Sequence, residues 1–534
     1  MRAFFLEHWR AYAVIIAYVF CAHFLMIVND LPYWDSWTYH IRIQNGDYNG
    51  FMVPWAESGR VVLGTIYLWI CKTFGTLTGF RILIVSDIAL SALLFYTLLV
   101  RYTAIVPFYS LMAVLIGASY LPYQTHLSST TFFYIFTLPF FITGIISLLE
   151  CSRIIDRKKG LALRLLAHIM LLASYFSEAF VVVGFIVPFI VWASDLGEGK
   201  NRRGGLFHYY LRYADFPFVA LAFTAMKFIL MPITGIYAPM YALDLSLASL
   251  GYYYFIYFFA ALNLDIFSFS LNKISILVNF YFWLVIMAVG AIFFRFRFKD
   301  QETRKYLAYI GVTLVVMGAI ATPFVLAQRF AAVWGWEMRH LIPVGFLSGT
   351  IMVSTVCYFI KRDGLRRRVL LCLVILAFAS LSKDYAMWQS RAAFDHGVME
   401  RMRENKELQK APFIFVGINT FFYTIYRPEE WEMMMAQVYG NHLHLVTSVP
   451  DEGELAHEQW KEELPRHLSV SEKMPADPET VCIIRMRLIP SDDSLSLESG
   501  LHYLWLRLTG SNQELTDWLR QLVEIKTIPI RNCD

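Results

Sequence analysis

Two carboxylates, Asp30 and Asp35, sit in the stretch Asn29-Asp30-Leu31-Pro32-Tyr33-Trp34-Asp35-Ser36-Trp37-Thr38-Tyr39, directly after the first apolar run of the chain. Trp and Tyr favour the boundary between hydrocarbon and water, because one end of each ring system is apolar and the other polar. A carboxylate held at that boundary can take the proton from an attacking hydroxyl as a general base. Asp35 is the strongest candidate, because Trp34, Trp37 and Tyr39 surround it with apolar mass. Asp30 and Glu57 are weaker candidates of the same kind, and Asp47, in Asn45-Gly46-Asp47-Tyr48, reads as a turn residue. Cations that could meet an anionic ligand lie elsewhere. Lys227 falls inside an apolar run, where a buried cation costs on the order of 3 kcal/mol and therefore signals either function or snorkelling. Arg339 and His340, in Glu337-Met338-Arg339-His340-Leu341-Ile342-Pro343, precede another apolar run, and the planar fork of an Arg suits phosphate oxygens. Arg329 lies in the same polar connection. Interfacial anchoring is the alternative reading of these residues. Arg81 and Asp87 read as structural, and His126, a lone His, reads more readily as a hydrogen-bonded residue than as a metal ligand.

The elements that must position these groups are set by composition. The chain has 534 residues, of which 57% are hydrophobic, 17% aromatic and only 16% charged, with a mean hydropathy of +0.49. A soluble chain carries roughly a quarter charged residues, so the expectation is a polytopic membrane protein. The net charge of +4 is small, and the placement of Lys and Arg matters more than their sum. Nothing in it points to nucleic acid. Seven Cys are scattered without CxxC or Cys/His ligand spacing, so no zinc or iron–sulfur site is legible.

Arg2 and Arg10 place the amino terminus in the cytoplasm by the positive-inside rule, and the first apolar run, about 11–29, is retained as a span. Val61 to Phe74 is short and carries charged flanks. Reading it as an amphipathic helix in the outer interface, rather than as a span, puts the cluster Arg153, Arg157, Lys158, Lys159 and Arg164 inside. The remaining spans then fall near 82–100, 104–122, 131–150, 165–177, 179–195, 214–233, 275–295, 306–326, 341–360 and 369–385, about eleven in all. The pair 165–177 and 179–195 is too tight for two full spans, and leaves the carboxylate of Glu178 just below the outer surface. Tyr252 to Phe267 reads as interfacial or re-entrant.

Charged residues become frequent after Trp388. Phe413–Val416, Val481–Ile484 and Leu504–Leu508 read as strands, and Ser511–Val523 as a helix. The expectation is therefore an all-α membrane module over 1–385, with its outer loop at 30–81, followed by a soluble α+β domain over 386–534 outside the cytoplasm. That compartment permits a Cys482–Cys533 disulfide, with two free thiols the alternative.

The order of these parts resembles the GT-C superfamily of integral-membrane glycosyltransferases, which includes the aminoarabinose transferases, the protein O-mannosyltransferases and the O-antigen glucosyltransferases. Trp34-Asp35-Ser36-Trp37-Thr38-Tyr39 is similar to the acidic motif of the first outer loop. Gly46-Asp47-Tyr48 resembles the turn that follows it. The run from Glu57-Ser58-Gly59-Arg60 to Trp69 resembles the juxtamembrane amphipathic helix, its Gly-Arg pair being similar to that of the O-antigen glucosyltransferase group. Phe80-Arg81 resembles the opening of the second span. Ser177-Glu178 resembles a Lys-Glu element whose Lys is absent here, and Arg339-His340-Leu341-Ile342-Pro343 is similar to an Arg-Tyr-x-x-Pro segment at the start of a late helix.

The resemblance, which covers roughly 1–385, implies transfer of a sugar from a polyprenyl-phosphate donor to a glycan or glycolipid acceptor of the O-antigen or lipopolysaccharide kind. The reaction would run on the outer face of a bacterial inner membrane. It implies Asp35 as the base and Arg339 at the lipid phosphate, with Lys227 or Arg60 assisting. Asp30, Glu57, Glu178 and His340 join the set of acceptor- and donor-binding candidates. Many members carry a second Asp after the third helix, where this chain reads His126-Leu127-Ser128-Ser129-Thr130-Thr131. The need for a divalent metal is therefore left open. The alternatives are a glycan polymerase or ligase, and a transporter or flippase of lipid-linked sugars.

Overall fold

The computed structural model describes residues 2–197, 205–235, 237–240, 243, 245–262, 301–329, 331, 336–410, 413–418, 428–440, 445–450, 483–492 and 494–531. The expected span 275–295 and the pair Cys482 and Cys533 lie outside the described residues. The chain is mostly helical. Five helical stretches are long and apolar enough to cross a membrane: Thr78–Tyr102, Ser129–Arg153, Lys305–Leu326, Glu337–Phe359 and Asp363–Glu404. A sixth is formed if Leu206–Arg212 and Asp215–Leu230, bent by 60°, count as one broken span. Several long apolar helices of this kind define a membrane-embedded helical protein.

The contacts divide the chain into two compact units. The first comprises Met1–Ile27, Asn49–His126 and Thr130–Lys383; the second comprises Val28–Tyr48, Leu127–Ser129 and Asp384–Asp534.

In the first unit, the helix Arg2–Ala22 lies along Thr78–Tyr102, with the Tyr12 hydroxyl 2.8 Å from Thr97 Oγ1. Pro107–Ala118 and Gly345–Phe359 approach closely because glycines line their seam. A Cβ on Gly117 would stand 2.7 Å from the Phe346 Cα. Small residues that bring backbones together are the usual packing device where lipid removes the hydrophobic drive between helices. The helix Val61–Phe74 occupies the residues expected for the amphipathic segment, and Gly75, at φ +79°, ends it. The helix Tyr48–Glu57 folds back onto it. Gly59 makes the turn at φ +69°, and a Cβ on Gly64 would meet the Trp55 Cβ at 2.5 Å. The segment from Tyr252 is helical over Leu247–Leu262, as far as it is described.

The second unit holds a four-stranded sheet in the order β2-β1-β3-β4. Strands β1 (Phe413–Ile418), β2 (Leu445–Pro450) and β3 (Ile483–Pro490) run parallel, and β4 (Val523–Arg531) is antiparallel to β3. The helix Pro428–Tyr439 makes the β1–β2 crossover and buries Trp431, Met434 and Met435 at helical spacing. The expected helix near Ser511 is Asn512–Gln521, capped by the Ser511 side chain, which accepts from the Glu514 amide. Leu504–Leu508 is helical, not a strand. It belongs to Leu497–Thr509, started by the Ser496 side chain accepting from the Ser499 amide and held by buried Gly500, Tyr503 and Leu506. A five-residue apolar alternation cannot separate the two periods, and here the cap and the i, i+3 burial decide it.

Candidate functional site

The loop that carries Asp35 belongs to the second unit and is built from it. Asn29 and Tyr33 bond to one another, and the Tyr33 hydroxyl donates to the Trp388 carbonyl at 2.9 Å. The Tyr33 and Trp34 rings each pack edge-on against Trp388, with centroids 4.8 and 4.9 Å away. Trp34 adopts a left-handed backbone at φ 50°, a conformation that costs a non-glycine residue energy and persists only where its surroundings impose it. What imposes it is buried Glu430, whose Oε1 accepts from the Trp34 amide at 2.8 Å. The same oxygen accepts from Arg391 Nη2 at 2.6 Å, and Arg391 Nε stands 3.6 Å from Asp395 Oδ2. Immediately after this fixed turn Asp35 opens the helix Ser36–Gln44, half-buried, with no capping bond from its side chain to the helix. Ser36 Oγ lies 2.7 Å from Ser128 Oγ and accepts from the Ser129 amide at 2.7 Å, which pins the helix start. Sequence reasoning missed Glu430, Arg391 and Trp388. Only Arg391 left a signal, as a cation just after an apolar run.

Asp30 is also in the second unit, with both its oxygens engaged. The Tyr503 hydroxyl donates to them at 3.0 and 3.1 Å, His396 Nε2 is 3.2 Å from Oδ2, and Arg507 Nη1 is 3.5 Å from Oδ1. Burial pushes the carboxyl up, but the His396 bond and the His396 and Arg507 charges outweigh it and hold Asp30 at about 2. Its contacts here are those of a strut.

The first unit brings three of the other candidates together. Glu178 occupies the turn between the helices Arg157–Tyr175 and Val183–Gly197, on a left-handed backbone at φ 64°. Arg60 grips it in a fork, Nη2 donating to Oε2 at 2.8 Å and Nε to Oε1 at 3.2 Å. Lys227, in the last turn of Asp215–Leu230, donates to Oε1. A cation there also meets the negative end of the helix dipole. Burial works against the Glu178 charge, and the two cations beside it hold its carboxyl far below the usual range. Glu57 locks the arrangement. Its carbonyl accepts from the Thr234 amide at 2.8 Å, and Gly235, at φ +58°, leaves room for its carboxylate, which a Cβ would approach at 2.8 Å. Gly59 likewise presses on the Met231 carbonyl. Two cations thus meet on one carboxylate.

Arg339 and His340 lie in the 3₁₀ turn Trp336–Val344 and share Glu337. Arg339 Nη1 is 3.0 Å from Oε1 and His340 Nε2 is 3.0 Å from Oε2. His340 is buried and its carbonyl accepts from the Tyr257 hydroxyl at 2.9 Å, whereas Arg339 is half-buried. His126 is buried and bonds Thr131 Oγ1 at 2.8 Å. Burial and the nearby His23 push His126 down to about 3, so it stays neutral. Among the described residues no three His, Cys, Asp or Glu side chains stand together as a metal-binding group.

Together these features define a membrane-embedded helical protein that, among the described residues, gathers Arg60 and Lys227 on Glu178 in one unit and anchors an acidic loop in the other. No family model, curated protein or solved structure matches the chain.

Proposed function

We propose that this protein is an inverting glycosyltransferase that moves a sugar from a polyprenyl-phosphate donor to a cell-surface glycan or glycolipid. The observation that carries the reading is the Arg60–Glu178–Lys227 cluster. It gathers two cations on one carboxylate in an apolar unit, and all three side chains keep part of their surface, as contact with a lipid-linked phosphate would require. Arg60 and Lys227 would hold the donor phosphate, with Arg339 a further cation for it. Positive charge placed where the leaving phosphate gains electrons favours the transition state. The acceptor hydroxyl oxygen attacks the anomeric carbon, the bond from that carbon to the phosphate oxygen breaks, and the phosphate leaves with the electron pair. Asp35 is the base that the resemblance implies for the hydroxyl proton. Its support is its place after a backbone turn that Glu430 holds in a strained form.

In this reading about eleven helices cross a bacterial inner membrane, with the amino terminus in the cytoplasm and residues from 386 forming an extracytoplasmic domain. Reporter fusions at Lys159 and Leu408 should report inside and outside respectively.

The decisive assay is transfer of labelled sugar from synthetic polyprenyl-phosphate hexoses to membrane glycans, with wild type and Asp35→Asn side by side and with and without EDTA. Asp35→Asn should cut transfer by about 10²-fold or more while leaving the protein folded. Normal turnover by a well-folded variant rejects the mechanism. A transport reading draws on the same intramembrane charges. Label that crosses the bilayer still attached to its lipid, with no transfer, would favour it.

A further inference from the structure

We propose that the helix Leu497–Thr509 lies on the lipid surface, its outward face set into the bilayer boundary. At 100° per residue, Leu497, Leu501, Leu504, Trp505 and Leu508 fall on one side of this helix. Ser499, Gly500, Tyr503 and Leu506, which are buried, fall on the other. Leu497, Leu501, Trp505 and Leu508 are exposed, Trp505 at 62% and Leu508 at 75%. Among the described residues from Asp384 onward they are the only exposed large apolar side chains. A stripe this confined is a contact surface rather than the scatter of single apolar residues found on any protein.

Two anchors say what covers it, and both lie within the second unit. The backbone of Gly500 is pressed against Ala386 and Ser390, so closely that a Cβ would stand 3.0 Å from the Ser390 amide and nearer still to the Ala386 carbonyl. These residues belong to the helix Asp363–Glu404, a little beyond the end of its apolar stretch. Arg507 Nη1 donates to the carbonyl of Val28 at 2.7 Å, the last residue of the apolar helix Phe24–Val28. The amphipathic helix is thus fastened to two points where the chain leaves apolar segments. Its chemistry suits that depth. A Trp sits within the stripe, and Arg507 on one flank with Glu498, His502 and Thr509 on the other provide the polar margins of an interfacial helix.

The test uses the full-length protein in liposomes, with its seven cysteines replaced. A single nitroxide label is placed in turn at Leu501, Trp505, Glu498 and His502, and its collisions with oxygen and with a water-soluble nickel chelate are compared. Labels at Leu501 and Trp505 should collide several-fold more with oxygen than with nickel, and labels at Glu498 and His502 should show the reverse. The double substitution Leu501→Glu with Leu508→Glu leaves the buried face intact and should shift the Trp505 label to the nickel-accessible pattern. Equal nickel access at Trp505 and His502 in the unsubstituted background would mean the stripe lies in water. Shielding of Trp505 from both reagents would mean protein covers it. Either result overturns the proposal.

Discussion

Each unit contains a cluster of one charge sign held around the other, and the two clusters are built in opposite sense. Around Glu178 two cations face one carboxylate; around Arg391 two carboxylates, Glu430 and Asp395, face one cation. Their access differs as well. The side chains of Arg60, Lys227 and Glu178 keep 14, 18 and 26% of their surface, whereas Glu430 and Asp395 keep none and Arg391 4%. A sealed cluster gains nothing from a ligand. Its hydrogen bonds fix a backbone, here the left-handed Trp34 that precedes Asp35. A partly open cluster that presents two cations can still take up an anion. Which charge sign surrounds the other, and the access to it, separate a lock from a receptor, although both register as buried ion pairs.

The sharpest way to break this contrast is at the lock. Arg391→Met keeps the aliphatic stem but removes the buried cation that Glu430 and Asp395 face, and should cost about 3–5 kcal/mol of stability. The loss would be read from denaturant or thermal unfolding in detergent. An unfolding midpoint unchanged from wild type would show that the Arg391 cluster is not structural. The same variant should also depress any activity that depends on Asp35, because the turn before Asp35 loses its tether.

The middle-sized effect belongs to the receptor. Lys227→Met removes one charge-assisted contact to a bound anion and should raise the donor KM about tenfold, near 1.4 kcal/mol, with a smaller change in stability. An unchanged KM together with a stability loss as large as that of Arg391→Met would erase the contrast. Both clusters would then be locks, and the reading of Arg60 and Lys227 as phosphate ligands would fall.

How much of this was legible follows from what the sequence encodes locally. The helix Val61–Phe74 could be read to its ends, because a short apolar run bounded by Arg60 and Gly75 has few other solutions. Long apolar runs such as the one within Thr78–Tyr102 declare themselves by length alone. The helix Asp363–Glu404 was expected to end near 385, where the apolar residues stop. It continues because the unbroken apolar run gives way to a stripe at helical spacing, Phe394, Val398 and Met402, which is buried. The convergence of Arg60 and Lys227 on Glu178 was legible only as far as the resemblance, which implies either cation at a phosphate and says nothing of Glu178 between them. Each was visible as a charge in an apolar context, but their meeting depends on the turn at Gly59 and the seat that Gly235 makes for Glu57, residues with no chemistry of their own. Glu430 left no signal, since an acidic residue in a polar stretch is unremarked until the chain folds it away from water.

The smallest effect tests whether Asp30 belongs with the lock or the receptor. Its carboxyl is held at about 2, below the ordinary value of 3.8, by His396, Arg507 and Tyr503. A group whose value is depressed on folding adds stability that is fully present above its unfolded value and fades as pH falls towards its folded one. Asp30 keeps close to a third of its side-chain surface, so solvent screening limits the contribution to about 1 kcal/mol. Asp30→Asn should therefore unfold more easily than wild type at pH 6, and the gap should close between pH 4 and about 2 as wild type loses its charge. A gap that stays constant across that window would show that Asp30 carries no folding-linked charge. Its engagement with Tyr503 and His396 would then be incidental, and the carboxylate would return to the set of groups free to meet a substrate.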